Sequence, residues 1–160
     1  MKKTLLFTFI FIFRTIAYAQ SEQEKYKIYD KVMENYPKCV VQTKTSLSTI
    51  KKFSFENPLK NGLYTKVDTL SHEWLAFLKR VDTSSFAVDT LNAGFVEKYN
   101  SAERRIKLVF SPVVFSSDKT MAVCTVYLYG KYDFEGEEAY ILEKKNEVWK
   151  IIRRFRISIG

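Results

Sequence analysis

An arginine within an apolar strand face is the clearest chemical signal in the sequence. Arg153 lies at an inward position of a predicted last strand, among the alternating apolar residues Trp149, Ile151, Phe155, Ile157 and Ile159. A hairpin that turns through residues 145–147 places Tyr140 opposite Arg153. With Tyr127, this pair would line a concavity that holds an anionic small ligand or a carboxylate terminus. A β-bulge that turns Arg153 to solvent, or an internal acidic partner for it, is the structural alternative.

The sequence shows no established catalytic or cofactor signature. It lacks H-E-x-x-H, G-x-S-x-G, C-x-x-C and a phosphate-binding glycine loop. His72 is the single histidine, and its neighbour Glu73 would not face it on a helix. We therefore interpret His72 as a solvated residue at a helix start, and predict neither catalytic residues nor a cofactor.

A group of acidic residues surrounds Gly136: Asp133, Glu135, Glu137 and Glu138. Carboxylate oxygens at close spacing could bind calcium, but the twelve-residue pattern of an EF-hand is missing. A charged hairpin tip that discourages edge-to-edge pairing explains the same residues. We favour that interpretation and predict no metal site.

Two cysteines, Cys39 and Cys124, are the only thiols of the chain. In an exported protein they could form one disulfide. Cys124 also falls on the apolar face of an alternating strand, where a thiol behaves as a small hydrophobic side chain. Both interpretations stay open at this level.

The N-terminus has the pattern of a cleavable signal peptide. Lys2 and Lys3 precede an apolar run over residues 5–13, and Ala17 and Ala19 supply the small residues before a cleavage site. The apolar run is shorter than the ~20 residues of a membrane span. We predict a signal peptide over 1–19, cleavage after Ala19, and one secreted or periplasmic domain over 20–160. No membrane span is expected after cleavage.

The predicted elements indicate an α+β fold. A helix should end at Tyr36, before Pro37, and a second should carry the stripe Trp74, Phe77, Leu78 and Val81. A series of antiparallel strands follows from residue 106 onward. Helices first and strands later favour N-terminal helices packed on one face of a C-terminal antiparallel β-meander.

The C-terminal third resembles a pattern found in uncharacterised exported bacterial domains. The matching segments are F-S-P at 110–112, F-S-x-D at 115–118, A-x-C at 122–124 and L-E-K-K-x-x-x-W-K-I at 142–151. Those relatives often have a glycine in the last hairpin turn, where this chain has Asn146 and Glu147. The resemblance implies export and fold rather than an activity. The W-K-I strand is also similar to the cone-shaped folds related to nuclear transport factor two, which enclose a pocket.

Charge and motifs together favour a binding protein. Formal net charge is +8, and loss of residues 1–19 removes Lys2, Lys3 and Arg14. We expect a non-enzymatic module of the bacterial cell envelope that binds an envelope protein or an anionic small ligand, and we expect no nucleic acid partner because of export. The alternative is a small pocketed enzyme of cone-shaped fold, with Arg153 and tyrosines stabilising charge and His72 or a carboxylate as base.

Overall fold

The computed structural model describes residues 21–53, 55, 70–82, 84, 86–100, 106–130 and 134–158, so the predicted signal peptide lies outside the described residues. The helices are α1 (residues 21–33), α2 (Ser48–Lys52), α3 (His72–Lys79) and α4 (Ala93–Tyr99). The strands are β1 (Cys39–Val41), β2 (Ile106–Phe110), β3 (Val114–Phe115), β4 (Met121–Tyr129), β5 (Phe134–Lys145) and β6 (Val148–Ser158).

The strands form one open sheet in the order β1-β2-β4-β5-β6, with β3 paired to β4. β1 runs parallel to β2, whereas the other pairings are antiparallel. Asn146 and Glu147 join β5 to β6 with φ angles of 50° and 61°. Positive φ at both residues of a two-residue turn is the type I′ geometry, which matches the twist of the strands it joins. These features confirm the predicted α+β class and its mainly antiparallel sheet.

Helices cover both faces of the sheet, and this corrects the expectation of a single covered face. On one face, α1 and α4 pack against the even-numbered residues of β4, such as Cys124 and Val126. On the other face, α2 and α3 pack against odd-numbered residues such as Val123 and Ile141. Period-two alternation explains the division, because successive side chains of a strand point to opposite faces.

Local signals explain where the helices begin and end. The buried residues of α1 follow a helical period, and Pro37 comes shortly after its last turn. Ser71 and Asn92 cap α3 and α4 by accepting hydrogen bonds from the backbone N–H groups of Trp74 and Phe95. Among the described residues, no helix combines the length and apolarity needed to cross a membrane.

Cys39 in β1 and Cys124 in β4 are both buried, and no disulfide joins them. They belong to the same hydrophobic core beneath α1. Of the two interpretations that the sequence left open, the structure shows the thiol form.

Candidate functional site

A β-bulge in the last strand changes the register on which the predicted Arg153 site depended. Near the turn, the pairs are the predicted ones: Lys144 with Trp149, Glu143 with Lys150 and Leu142 with Ile151. The register then shifts, so that Ile141 pairs with Arg153 and Tyr140 pairs with Arg154. Ile152 is the extra residue of β6. The predicted pairing of Tyr140 with Arg153 is therefore wrong by one position.

The bulge also divides the predicted apolar face of β6 between the two cores. Trp149 and Ile151 pack in the core beneath α1, whereas Phe155 and Ile157 pack with α2 and α3. Arg153 lies on the α2 and α3 side, opposite Ile141.

The structure does not bring the three predicted ligand-binding residues together. Tyr140 is buried on the α1 side of the sheet. Tyr127 pairs with Glu137 on the opposite side, where its ring centroid is 5.5 Å from that of Tyr129. Arg153 shares that side with Tyr127 but lies opposite a residue four positions further along β5.

Tyr140 instead takes part in a closed polar group that we call the Glu138 clasp: Glu138, Tyr36, Tyr140 and Arg154. Arg154 donates to the carboxylate of Glu138 from Nε and from its NH2 nitrogen, each at 2.7 Å. The hydroxyl groups of Tyr36 and Tyr140 also donate to Glu138 Oε2. The two hydroxyl oxygens are 2.6 Å apart.

Charge and burial oppose each other in the clasp. Burial raises the pKa of Glu138, but the hydrogen bonds from Arg154, Tyr36 and Tyr140 outweigh it, so that the pKa is lowered overall. Burial raises the pKa of both tyrosines, which therefore keep their protons and donate them. The clasp is an ionised carboxylate saturated by a bidentate guanidinium and two phenols.

This saturation makes the clasp a structural element rather than a catalytic one. The side chain of Glu138 is only 4% exposed, and its hydrogen-bond donors come from its own fold. Tyr36 lies just beyond the end of α1, whereas Glu138 and Arg154 lie on β5 and β6. The clasp therefore attaches the end of α1 to the final hairpin.

Of the other acidic candidates, the structure describes the side chain of Glu137 and not those of Asp133 and Glu135. Glu137 faces the opposite side of the sheet from Glu138 and lies 2.6 Å from Lys52 Nζ. Asp133 lies outside the described residues, and the side chain of Glu135 is not described either. Within the described part of the chain, no group of three His, Cys, Asp or Glu residues could hold a metal ion. His72 is the exposed first residue of α3.

The structure reveals a cleft between α3 and β3 that the motifs did not indicate. This α3–β3 cleft has a volume of about 650 Å³. Its apolar lining consists of Ala76, Phe77, Val81, Phe86, Val114, Phe115 and Met121. Its polar lining consists of Glu73, Arg80, Asp82 and Asp118, which carry charges, and of Ser116 and Ser117. Apolar and polar groups thus line the cleft in similar number, and its volume is in the range of small-molecule pockets.

The period of α3 explains why one wall of the cleft is apolar. Trp74 and Leu78 of the predicted stripe are buried in the core, whereas Phe77 and Val81 are half-buried and line the cleft. The stripe is wider than the surface that the sheet covers. The stripe alone does not indicate the cleft, because periodicity does not reveal which part of an apolar helix face the sheet covers.

A short turn positions the carboxylate on the other wall. Asp118 Oδ1 accepts hydrogen bonds from Ser116 Oγ at 2.6 Å, Thr120 Oγ1 at 2.9 Å and the Thr120 backbone N–H at 3.1 Å. The hydrogen bond from the Ser116 hydroxyl, followed by those from Thr120, lowers the pKa of Asp118. The turn thus presents a fixed negative charge at the cleft.

A second carboxylate of the cleft lining is held in a similar way. Asp82 Oδ1 accepts from the Ser84 hydroxyl at 2.6 Å and from the Ser84 backbone N–H at 2.9 Å. These bonds lower the pKa of Asp82. Both aspartates are therefore anionic at neutral pH.

Comparison with known proteins adds no further constraint on the site. No family model, curated protein or solved structure matches this chain.

Proposed function

We propose that the protein is an exported, non-enzymatic module of the bacterial cell envelope that binds a small ligand in the α3–β3 cleft. The observation that supports this function is the cleft itself: a space of about 650 Å³ lined by both apolar and charged side chains. Pockets of roughly 300–1,000 Å³ bury most of the surface of a small organic molecule.

Binding suits the electrostatics of the cleft better than acid–base catalysis does. Hydrogen bonds lower the pKa of Asp82 and of Asp118. A general acid or base works best when its pKa is near the working pH, and these two carboxylates are moved away from neutrality. They act as permanent charges that orient a ligand.

The alternative of a pocketed enzyme built on Arg153 has less support. Its proposed electrostatic group required Arg153 and Tyr140 to face one cavity, but the bulge at Ile152 places them on opposite sides of the sheet. Arg154, which does contact Tyr140, is already bound to Glu138.

A fluorescence titration with Nile red, a neutral apolar dye, tests the proposed function on residues 20–160. We expect saturable binding that Val81→Asn weakens by about fivefold, because it replaces an apolar wall contact with a polar group that must lose water. Val88→Asn is the matched control, since Val88 is 56% exposed and is not part of the cleft lining. Equal effects of the two substitutions, or the absence of saturable binding, would contradict the proposal.

Export is tested separately by expression of the full chain in a Gram-negative bacterium. The pattern before Ala19 predicts a periplasmic product whose first residue is Gln20. Ala19→Asp should block cleavage, because the peptidase requires a small residue at that position. An intact N-terminus in the unmodified chain would refute the predicted cleavage.

A further inference from the structure

We infer that the ligand of the α3–β3 cleft is an amphipathic cation, an organic ammonium group attached to an aromatic or aliphatic body. This inference rests on the proposed function and specifies the ligand class of the same site. It follows from the sign of the charge in the cleft, from the way the carboxylates are held, and from the side chains between them.

The net charge of the cleft lining is negative, whereas that of the whole chain is positive. Among the described residues that line the cleft, three carry carboxylates, namely Glu73, Asp82 and Asp118, and one carries a guanidinium, namely Arg80. The chain as a whole carries a formal net charge of +8. A concave site with apolar walls concentrates the field of its charges, so a local excess of carboxylates selects a cationic ligand.

Asp118 brings an exposed, fixed carboxylate to such a ligand. Hydrogen bonds from the Ser116 hydroxyl and from the hydroxyl and backbone N–H of Thr120 hold its Oδ1 in place. The carboxylate is therefore already ordered before it pairs with an ammonium group.

The apolar lining suits the body of the ligand. Phe77 and Phe86 provide aromatic rings and Met121 an adaptable thioether, all at the same cleft as the carboxylates. Aromatic faces attract cations as well as apolar groups. Methionine fills irregular space against aromatic ligands. A bound organic cation can thus pair its ammonium group with the carboxylates while its carbon atoms contact the apolar side chains.

An anionic ligand fits the molecule less well. In the cleft, Arg80 is outnumbered by carboxylates. At the Glu138 clasp, where Arg154 and Arg156 are half exposed, Glu138 already lies 2.7 Å and 3.5 Å from their NH2 nitrogens. An incoming anion would face that carboxylate at close range.

Three naphthalene probes of different charge test the inference: 1-naphthylmethylamine, 1-naphthylmethanol and 1-naphthoate. Their ring fluorescence is titrated with residues 20–160 at low ionic strength. We expect the amine to bind about fivefold more tightly than the alcohol, and the acid to bind most weakly. Added salt should reduce the advantage of the amine, because it screens partly exposed charges.

Two variants connect the preference to the cleft. Asp118→Asn keeps an oxygen acceptor for the turn but removes the charge, so the amine should lose most of its advantage over the alcohol. Glu73→Gln removes a second charge from an exposed position of α3 and should have a smaller effect of the same sign. Glu34→Gln, on the exposed surface of α1, is the control and should change nothing. Urea midpoints verify that each variant is folded.

The outcomes separate this inference from the proposed function. If Nile red and the alcohol bind while the amine binds no more tightly, the cleft is a ligand site and the cationic class is wrong. Retention of the amine preference in Asp118→Asn and Glu73→Gln would also overturn the inference. If no probe binds, the proposed function fails together with it.

Discussion

Replacing Glu138 with glutamine should destabilise the protein more than any exposed carboxylate substitution. The carboxylate is 4% exposed and accepts two bonds from Arg154 and two from tyrosine hydroxyls. Glutamine retains one acceptor and adds an amide donor that would face other donors. Breaking a fully buried ion pair costs about 3–5 kcal/mol. Because Arg154 is 46% exposed and regains hydration, we expect a loss of about 2–3 kcal/mol.

The stability difference between the native protein and Glu138→Gln should become smaller as the pH falls. The folded protein lowers the pKa of Glu138, so its stabilising contribution is complete above the unfolded pKa of about 4.3 and declines as the pH falls below it. Glutamine does not titrate. The difference between the native protein and Glu138→Gln should therefore be constant near neutrality and should narrow below about pH 4.

Urea unfolding followed by tryptophan fluorescence measures both effects, since Trp74 and Trp149 are buried and report on the two cores. Glu147→Gln is the matched control. Glu147 lies 2.7 Å from Lys144 but is 84% exposed, and such surface pairs contribute about 0–1 kcal/mol. If the two substitutions cost the same at pH 7, or if their difference grows on acidification, the account of the clasp is refuted.

Three further predictions follow from the same packing. Arg154→Met should destabilise by about 2–3 kcal/mol, because it removes two charge-assisted hydrogen bonds from a buried carboxylate and leaves it the more distant Arg156, whose NH2 nitrogen lies 3.5 Å away. It should cost more than Arg153→Met in urea unfolding, because Arg153 pairs with Ile141 and lies on the other side of the sheet from Glu138; the reverse order would contradict that placement. Cys39 and Cys124 should resist iodoacetamide in the native state, since both are buried and burial raises the pKa of Cys124. In urea, without reductant, the intact mass should show two adducts. No adduct in urea would indicate a disulfide bridge. Glu147→Gly should stabilise the protein by about 0.5–1 kcal/mol, because a φ of 61° is unfavourable for a residue with a Cβ atom, whereas glycine adopts it readily. A lower thermal midpoint of the variant would exclude the type I′ turn.

Hydrophobic periodicity correctly predicted a central strand and the part of the final hairpin next to its turn. The alternation around Cys124 predicted a strand with one apolar face, and the even-numbered residues of β4 do pack beneath a helix. The hairpin register was also predictable near its turn, where Lys144 pairs with Trp149. What could not be predicted was the second covered face. The short helix α2 lies in a stretch without a sustained period, although its Ile50 is fully buried.

The error at Arg153 has a single physical cause. An alternating pattern identifies two faces only while the ladder is regular, and one extra residue exchanges the faces for everything beyond it. Once Ile152 is the extra residue, Arg154 takes the position beside Tyr140 that the pattern assigned to Arg153. The chemistry predicted for the position, a guanidinium beside an inward phenol, is present, but its acid partner Glu138 comes from the same hairpin.

The division between the two sheet faces also supports the α3–β3 cleft as the location of the proposed ligand site. On the α1 side, the ionised Glu138 has its donors supplied by Tyr36, Tyr140 and Arg154, so this polar group is complete without a ligand. On the α3 side, hydrogen bonds hold the carboxylate of Asp118 at the surface of the cleft, and Phe77 and Val81 of the apolar helix stripe are only half-buried. A buried polar group is stable when all of its hydrogen bonds are made within the protein. A recognition site instead keeps donors, acceptors or apolar surface exposed until its ligand binds. By that criterion the α3–β3 cleft, and not the arginine-rich hairpin, is where a ligand should act.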